Sequence, residues 1–284
     1  MKTITIGGVP EHFNLAWYLT LKNGEYKSKD INLRWKDYYG GTGAMCKALR
    51  NEEIDLAVVL TEGIITDIIE GNKSRIIQTF VKSPLIWGIH VAHDSPYKSL
   101  DDLKGKKAAI SRFGSGSHLM AYINAENNHW DLEKDLQFEL VGNLEGAVEG
   151  LTSKKADYFL WEKFTTKPIV DSGVFRRIGN CPSPWPCFVI AGREEFLHNN
   201  PDEVKTILEI INNTTIDFKS IPSIDRTISN RYDQKLEDVQ EWLSLTEWSQ
   251  ELIDEKTIMN VQDKLLALNI IPKKILYKEL TIKI

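Results

Sequence analysis

Two short segments combine glycine with hydroxyl residues in a way that suits the binding of an anion. Residues 40–43 read Gly-Gly-Thr-Gly and residues 111–117 read Ser-Arg-Phe-Gly-Ser-Gly-Ser, and each precedes a predicted helix. Glycine lets backbone amides approach a ligand, and the first turn of a helix carries partial positive charge. The hydroxyls of Ser115 and Ser117 and the guanidinium of Arg112 would add hydrogen bonds. Both segments also fit ordinary strand-to-helix turns with capping residues.

Two glutamates and three aromatic residues extend this candidate set. Glu62 and Glu162 each follow a predicted strand, and a carboxylate there would accept hydrogen bonds from an amino group or an aminopyrimidine. The rings of Trp161, Trp185 and Phe113 would stack on a flat ligand. The glutamates also fit solvated loop carboxylates, and the two tryptophans fit core residues near a crossover between domains.

The candidate residues share a place in the predicted topology. In open α/β sheets, ligands bind beyond the carboxyl ends of the strands, so we selected residues from the turns that follow predicted strands. His12 is the only histidine in such a turn. The predicted ligand-binding residues are His12, Gly41, Thr42, Thr61, Glu62, Arg112, Gly114, Ser115, Ser117, Trp161, Glu162 and Trp185.

Motifs that would assign catalysis or a cofactor are absent from the sequence. The glycine segments do not fit the dinucleotide or P-loop patterns, and no HExxH or GxSxG motif occurs. Three cysteines without a CxxC pair favour buried thiols. Cys181 and Cys187 flank a proline-rich turn, which leaves metal or redox chemistry as an alternative. We expect no catalytic residue, no cofactor and no metal.

Composition and charge exclude several functional classes. The chain has 284 residues and a net charge of −5, which does not suggest a nucleic-acid partner. No run of about 18 apolar residues occurs, so we expect no membrane insertion. The first residues alternate like a strand and lack a secretory signal. We expect a monomer that is cytoplasmic if Met1 is the native start, and periplasmic or lipid-anchored if a signal was removed.

Strand and helix signals alternate through two successive modules, which predicts mostly parallel sheets with helices on their faces. After residue 191 the chain reads as strongly amphipathic helices. The predicted strands are residues 3–6, 31–37, 54–60, 76–81, 107–111, 136–141, 156–161, 175–178 and 187–191. The predicted helices between them are residues 13–22, 42–51, 64–70, 117–127, 144–153 and 163–171.

Several short segments form an ordered set along nearly the whole chain. They are Asn-Glu-Glu-Ile-Asp-Leu-Ala at 51–57 after the 40–43 turn, Ser-Leu-Asp-Asp-Leu-Lys-Gly-Lys at 99–106, Gly-Ala-Val-Glu-Gly-Leu at 146–151 with Lys-Ala-Asp-Tyr at 155–158, and Arg-Glu-Glu-Phe-Leu at 193–197 before Asn-Pro at 200–201. In this order they resemble type II periplasmic-binding proteins, in the nitrate/sulfonate/taurine and thiamine-pyrimidine branch. The most specific match is the segment 99–106.

This resemblance implies an α/β fold of two doubly wound lobes with mixed sheets, joined by a two-segment hinge. It places the crossovers near residues 88–93 and 186–191. Lobe one would comprise 1–89 plus 188–284, and lobe two would comprise 90–187. The resemblance further implies that the lobes close over a small polar or anionic organic ligand, such as a sulfonate, a carboxylate or an aminopyrimidine. An ABC importer's permease is the partner that such a receptor would serve.

A cytosolic enzyme on the same fold, of menaquinone- or thiamine-pyrimidine-pathway type, is the alternative function. The fungal-type pyrimidine-forming enzymes of this superfamily carry a cofactor lysine, a nearby histidine and a cysteine-rich motif. Alignment of residues 54–69 to that family puts Val59 at the lysine and Gly63 at the histidine. Because both groups are missing, we expect binding rather than turnover.

Overall fold

The alternating signals fold into two units, each built around its own β-sheet. The computed structural model describes residues 1–284. The first unit comprises Met1–Ser83 and Trp185–Ile284, and the second comprises Pro84–Pro184. These boundaries fall a few residues before those expected from the sequence, because the strand that begins at Ile86 already pairs with strands of the second unit.

The helices and strands follow in chain order. Residues 1–83 contain β1 Lys2–Gly8, α1 Leu15–Lys22, β2 Ile31–Asp37, α2 Gly41–Arg50, β3 Leu56–Leu60, α3 Thr61–Ile69 and β4 Ser74–Val81. The second unit contains β5 Ile86–Ala92, β6 Lys107–Ile110, α4 Gly116–Asn127, β7 Gln137–Leu140, α5 Leu144–Thr152, β8 Tyr158–Glu162, α6 Lys167–Asp171 and β9 Phe175–Pro182. The remainder contains β10 Phe188–Arg193, α7 Glu194–Asn199, α8 Pro201–Ile216, α9 Ile224–Tyr232, α10 Leu236–Leu245, α11 Glu255–Ala267 and α12 Tyr277–Leu280.

The two sheets repeat one topology. The first has the strand order β2-β1-β3-β10-β4 and the second has β7-β6-β8-β5-β9. In each, the second strand of this order, β1 or β6, is parallel to both of its neighbours, whereas the fourth strand, β10 or β5, is antiparallel to both of its neighbours. The predicted α/β class with two mixed sheets is therefore confirmed. The carboxyl ends of three parallel strands meet at one edge of each sheet.

Two aspartates, one in segment 51–57 and one in segment 155–158, stabilise equivalent pairs of parallel strands in the two sheets. Asp55 lies just before β3, and its carboxylate accepts the amide of Thr5 in β1 at 2.9 Å. Asp157 lies just before β8, and its carboxylate accepts the amide of Lys107 in β6 at 2.8 Å. A charge-assisted bond of this kind ties the second parallel strand to the first. This role explains why each segment needs an aspartate there.

The segment 99–106 is a turn that leads the chain into β6. The carboxylate of Asp102 accepts the amides of Lys98 and Ser99 at 2.8 and 2.9 Å, and these bonds lower its pKa. Leu103 is fully buried. Gly105 has a φ of +74°, a left-handed conformation that glycine adopts without strain.

Several element bounds differ from the sequence-based prediction. α3 begins at Thr61, so residues 61–63 form its first turn rather than a loop. α6 is shorter than the predicted helix and begins at Lys167, because residues 162–166 form a turn held by the carboxylate of Glu162. The strand β5 was expected only as a crossover. No helix in the structure combines the length and apolar character needed to cross a membrane.

Candidate functional site

The turn between β6 and α4 is tied together by its own hydroxyls. Ser115 caps α4: its Oγ accepts the amide of His118 at 3.3 Å and donates to the carbonyl of Arg112 at 2.6 Å. The Oγ of Ser117 accepts the amide of Ser111 at 3.0 Å. Ser115 and Ser117 are both buried. These hydroxyls, predicted to bind a ligand, hold the shape of the turn.

Three consecutive residues of this turn are exposed, namely Arg112, Phe113 and Gly114. Gly114 has a φ of +74°, which a larger side chain would adopt only with strain. The amides in the first turn of α4 have no acceptor within the helix. The turn therefore offers an exposed guanidinium next to a helix N-terminus, a combination suited to an anion.

The glycine-rich turn of the first unit joins β2 to α2. Gly41 begins the helix with a φ of +65°. The Oγ1 of Thr42 accepts the amide of Leu60 at 3.0 Å, so this hydroxyl links α2 to the end of β3. A Cβ on Gly63 would lie 2.5 Å from the Cγ2 of Thr42, so α2 and α3 pack closely only because residue 63 is glycine.

The same packing bears on the enzyme alternative. Val59 is fully buried within β3, and the space beside Gly63 is filled by Thr42. A side chain at position 63 would collide with Thr42. The positions aligned with the pyrimidine-forming enzymes' lysine and histidine thus hold a buried valine and a glycine that packs against Thr42.

Thr61 and Glu62 bond to the segment that leads into β10. The Oγ1 of Thr61 donates to the carbonyl of Pro186 at 2.5 Å. The indole Nε1 of Trp185 donates to the carboxylate of Glu62 at 2.9 Å. Both Glu62 and Trp185 are buried, and burial raises the pKa of Glu62. Glu62 is thus a buried group rather than a solvated loop carboxylate.

Glu162 and Trp161 stand at the end of β8. The carboxylate of Glu162 accepts the amide of Thr165 at 2.5 Å. The glutamate is 4% exposed, and burial raises its pKa to about 7. Trp161 is half-buried and stacks on Phe159, with ring centroids 5.3 Å apart, and it meets Trp87 edge to face.

His12 lies in a 3-10 turn after β1, inside a group of aromatic rings. Its ring meets Trp242 edge to face at 4.4 Å and stacks on Phe13 at 4.8 Å. His12 is 1% exposed, and burial lowers its pKa to about 3, so the ring is neutral at physiological pH. Trp242 lies on α10, one of the amphipathic helices predicted after residue 191, and that pattern did not predict a contact with His12.

Lys163 is a residue in the same class of turn that the sequence-based selection left out. It follows Glu162 directly and is buried, with its ammonium 4.7 Å from the centre of the Phe164 ring. A cation over an aromatic face is stabilised by the ring quadrupole. Its position immediately after β8 could have identified Lys163 as a candidate from the sequence.

The structure divides the candidates equally between the two units. His12, Gly41, Thr42, Thr61, Glu62 and Trp185 belong to the first unit, and Arg112, Gly114, Ser115, Ser117, Trp161 and Glu162 belong to the second. No cluster of three histidine, cysteine or acidic side chains could hold a metal ion. All three cysteines are buried, and burial raises the pKa of Cys181 to about 11.

Comparisons with known proteins agree with this architecture. A family model described as Ca3427-like PBP matches residues 87–181. The solved structure of the Candida albicans CA3427 gene product, described as defining a new family with the generic periplasmic binding protein fold, is 25% identical; the match covers 97% of this chain and 92% of that chain, with a TM-score of 0.88. No curated protein matches the chain.

Two sulfonate-binding proteins are similar in structure at lower identity. The alkanesulfonate-binding protein SsuA from Xanthomonas axonopodis pv. citri, bound to MOPS, is 14% identical over 99% of this chain and 98% of that chain, with a TM-score of 0.83. The periplasmic aliphatic sulphonate binding protein SsuA from Escherichia coli is 15% identical over 100% and 92%, with a TM-score of 0.78. From the two sheets, their repeated topology and these matches, the chain is a protein of the periplasmic-binding-protein fold.

Proposed function

We propose that the chain is a solute-binding protein for a small polar or anionic organic ligand of the sulfonate, carboxylate or aminopyrimidine type. The observation that carries the proposal is the exposed Arg112 beside the N-terminus of α4, in a fold shared with proteins named for sulfonate binding.

The buried polar groups favour binding over turnover. His12 packs among aromatic rings, Glu62 accepts a bond from an indole, and Glu162 accepts one from a backbone amide. These contacts stabilise the fold and do not form the pair of nucleophile and base on which covalent catalysis depends. As a receptor, the protein would pass its ligand to the permease of an ABC importer.

A thermal-shift screen tests the proposal. The probes are matched sulfonates, phosphonates, carboxylates and aminopyrimidines. A ligand present at about 100 times its dissociation constant stabilises the folded protein by about 2.7 kcal/mol, which for a chain of this size raises the melting temperature by roughly 5–10 °C. We expect at least one class of probe to give a shift of this size. A complete panel without any shift would contradict the proposal.

A further inference from the structure

An aromatic cluster supports the exposed ring of Phe113. We define it as Phe113, His118, Tyr122 and Phe138. The ring of His118 lies edge to face against Phe113 at 5.3 Å, Tyr122 at 4.9 Å and Phe138 at 4.7 Å. His118 is 7% exposed, whereas Phe113 is 62% exposed. The cluster therefore runs from the interior of the second unit to one surface ring.

The backbone next to Phe113 is also held in place. The Nδ1 of His118 accepts the amide of Gly114 at 3.1 Å, so the same imidazole supports both the ring of Phe113 and the peptide that follows it. Gly114 adopts its left-handed conformation at this point. A ring fixed from two directions loses little conformational freedom when a ligand covers it.

Phe113 also lies next to the group proposed to bind the anion. Arg112 precedes it, and consecutive Cα atoms are about 3.8 Å apart. The N-cap of α4, Ser115, is two residues further on. An anionic group at Arg112 and the helix terminus would thus bring the rest of a small ligand within reach of the Phe113 ring.

We propose that Phe113 makes the site selective for ligands whose anionic group carries a flat apolar body, such as an aromatic ring. This inference rests on the proposed function and names the class of ligand within it. Offset or edge-to-face contact with the exposed ring would bury apolar surface on both partners. A ligand with only a methyl group beside the anion would leave most of that ring in water.

Calorimetric titration of matched probe pairs tests the inference. The pairs are benzenesulfonate with methanesulfonate, phenylphosphonate with methylphosphonate, and benzoate with acetate. For each head group that binds, we expect the aryl member to bind about 10-fold or more tightly than the methyl member. In Phe113→Ala this preference should fall to about 2-fold, while the methyl member keeps its affinity to within about 2-fold.

Two further variants make the test specific. Ile216→Ala removes an apolar side chain that is 63% exposed and lies at the end of α8 in the first unit, so it should leave the preference unchanged. Phe113→Leu keeps apolar bulk without a flat ring and should give an intermediate preference, and it serves if the alanine variant does not fold. An aryl preference that survives in both Phe113 variants, or no preference in the wild type, overturns the inference and leaves the proposed function standing. Failure of every probe to bind overturns both.

Discussion

Replacing Glu162 with glutamine is expected to stabilise the protein by about 3 kcal/mol at pH 8 and to change its stability little at pH 4. Burial raises the pKa of this carboxyl from 4.5 to about 7. The folded protein therefore keeps a proton that the unfolded chain releases between these values. The stability that the wild type owes to protonated Glu162 is fully present below pH 4.5 and is lost as the pH rises through about 7.

The size of this effect follows from the difference between the pKa of Glu162 in the folded protein and in the unfolded chain. Each unit of pKa difference corresponds to about 1.4 kcal/mol, so a rise from 4.5 to about 7 costs the ionised form about 3 kcal/mol. Glutamine carries no charge and can still accept the amide of Thr165 through its side-chain oxygen. Urea unfolding at the two pH values measures the difference.

Glu133→Gln is the matched control for this experiment. Glu133 is an exposed carboxylate of the same unit, so its replacement should leave stability nearly unchanged at both pH values. A Glu162→Gln protein that is less stable than the wild type at pH 8 would show that the charge of Glu162 stabilises the turn. The account of that carboxylate as a buried, costly charge would then be wrong.

Replacing Arg112 with alanine is expected to weaken binding of an anionic probe about 10- to 150-fold. A hydrogen bond to a charged group contributes about 1.5–3 kcal/mol, and every 1.4 kcal/mol or so is a tenfold change in affinity. The side chain is exposed, so its loss should leave the fold intact. Calorimetric titration with the probe that gives the largest thermal shift measures the effect.

Two variants separate a specific role of Arg112 from its charge alone. Arg112→Lys keeps the charge but loses the planar fork, and it should bind with intermediate affinity. Arg226→Ala removes an exposed arginine from α9 in the first unit and should bind like the wild type. Equal affinity of Arg112→Ala and the wild type would remove Arg112 from the site.

The strands were predicted best where apolar and polar residues alternate or where an apolar run is uninterrupted. β2 has the predicted bounds, residues 31–37, because its alternation is regular. β5 was missed as a strand, although it pairs with two neighbours. Its partners lie at the far end of the unit's sequence, and the local pattern of Ile86–Ala92 does not distinguish a buried strand from an apolar link.

The turns of the candidate site could be predicted, but the use of their side chains could not. Glycine and serine before a helix indicate where a strand ends and a helix begins, and residues 111–117 occupy that place. The partner of Glu62 is Trp185, which lies 123 residues away along the chain. Such a contact depends on the tertiary fold, so residue type alone does not separate a structural hydroxyl or carboxylate from one that faces a ligand.

Recovery of the bound ligand is the measurement that tests the central claim most directly. The protein would be incubated with the probe that gives the largest thermal shift, and unbound probe would be removed. The protein would then be denatured, and the released molecule would be quantified by mass spectrometry. The account predicts one equivalent of chemically unchanged ligand per chain. Recovery of an altered product from the wild type, lost in His12→Ala, would contradict it.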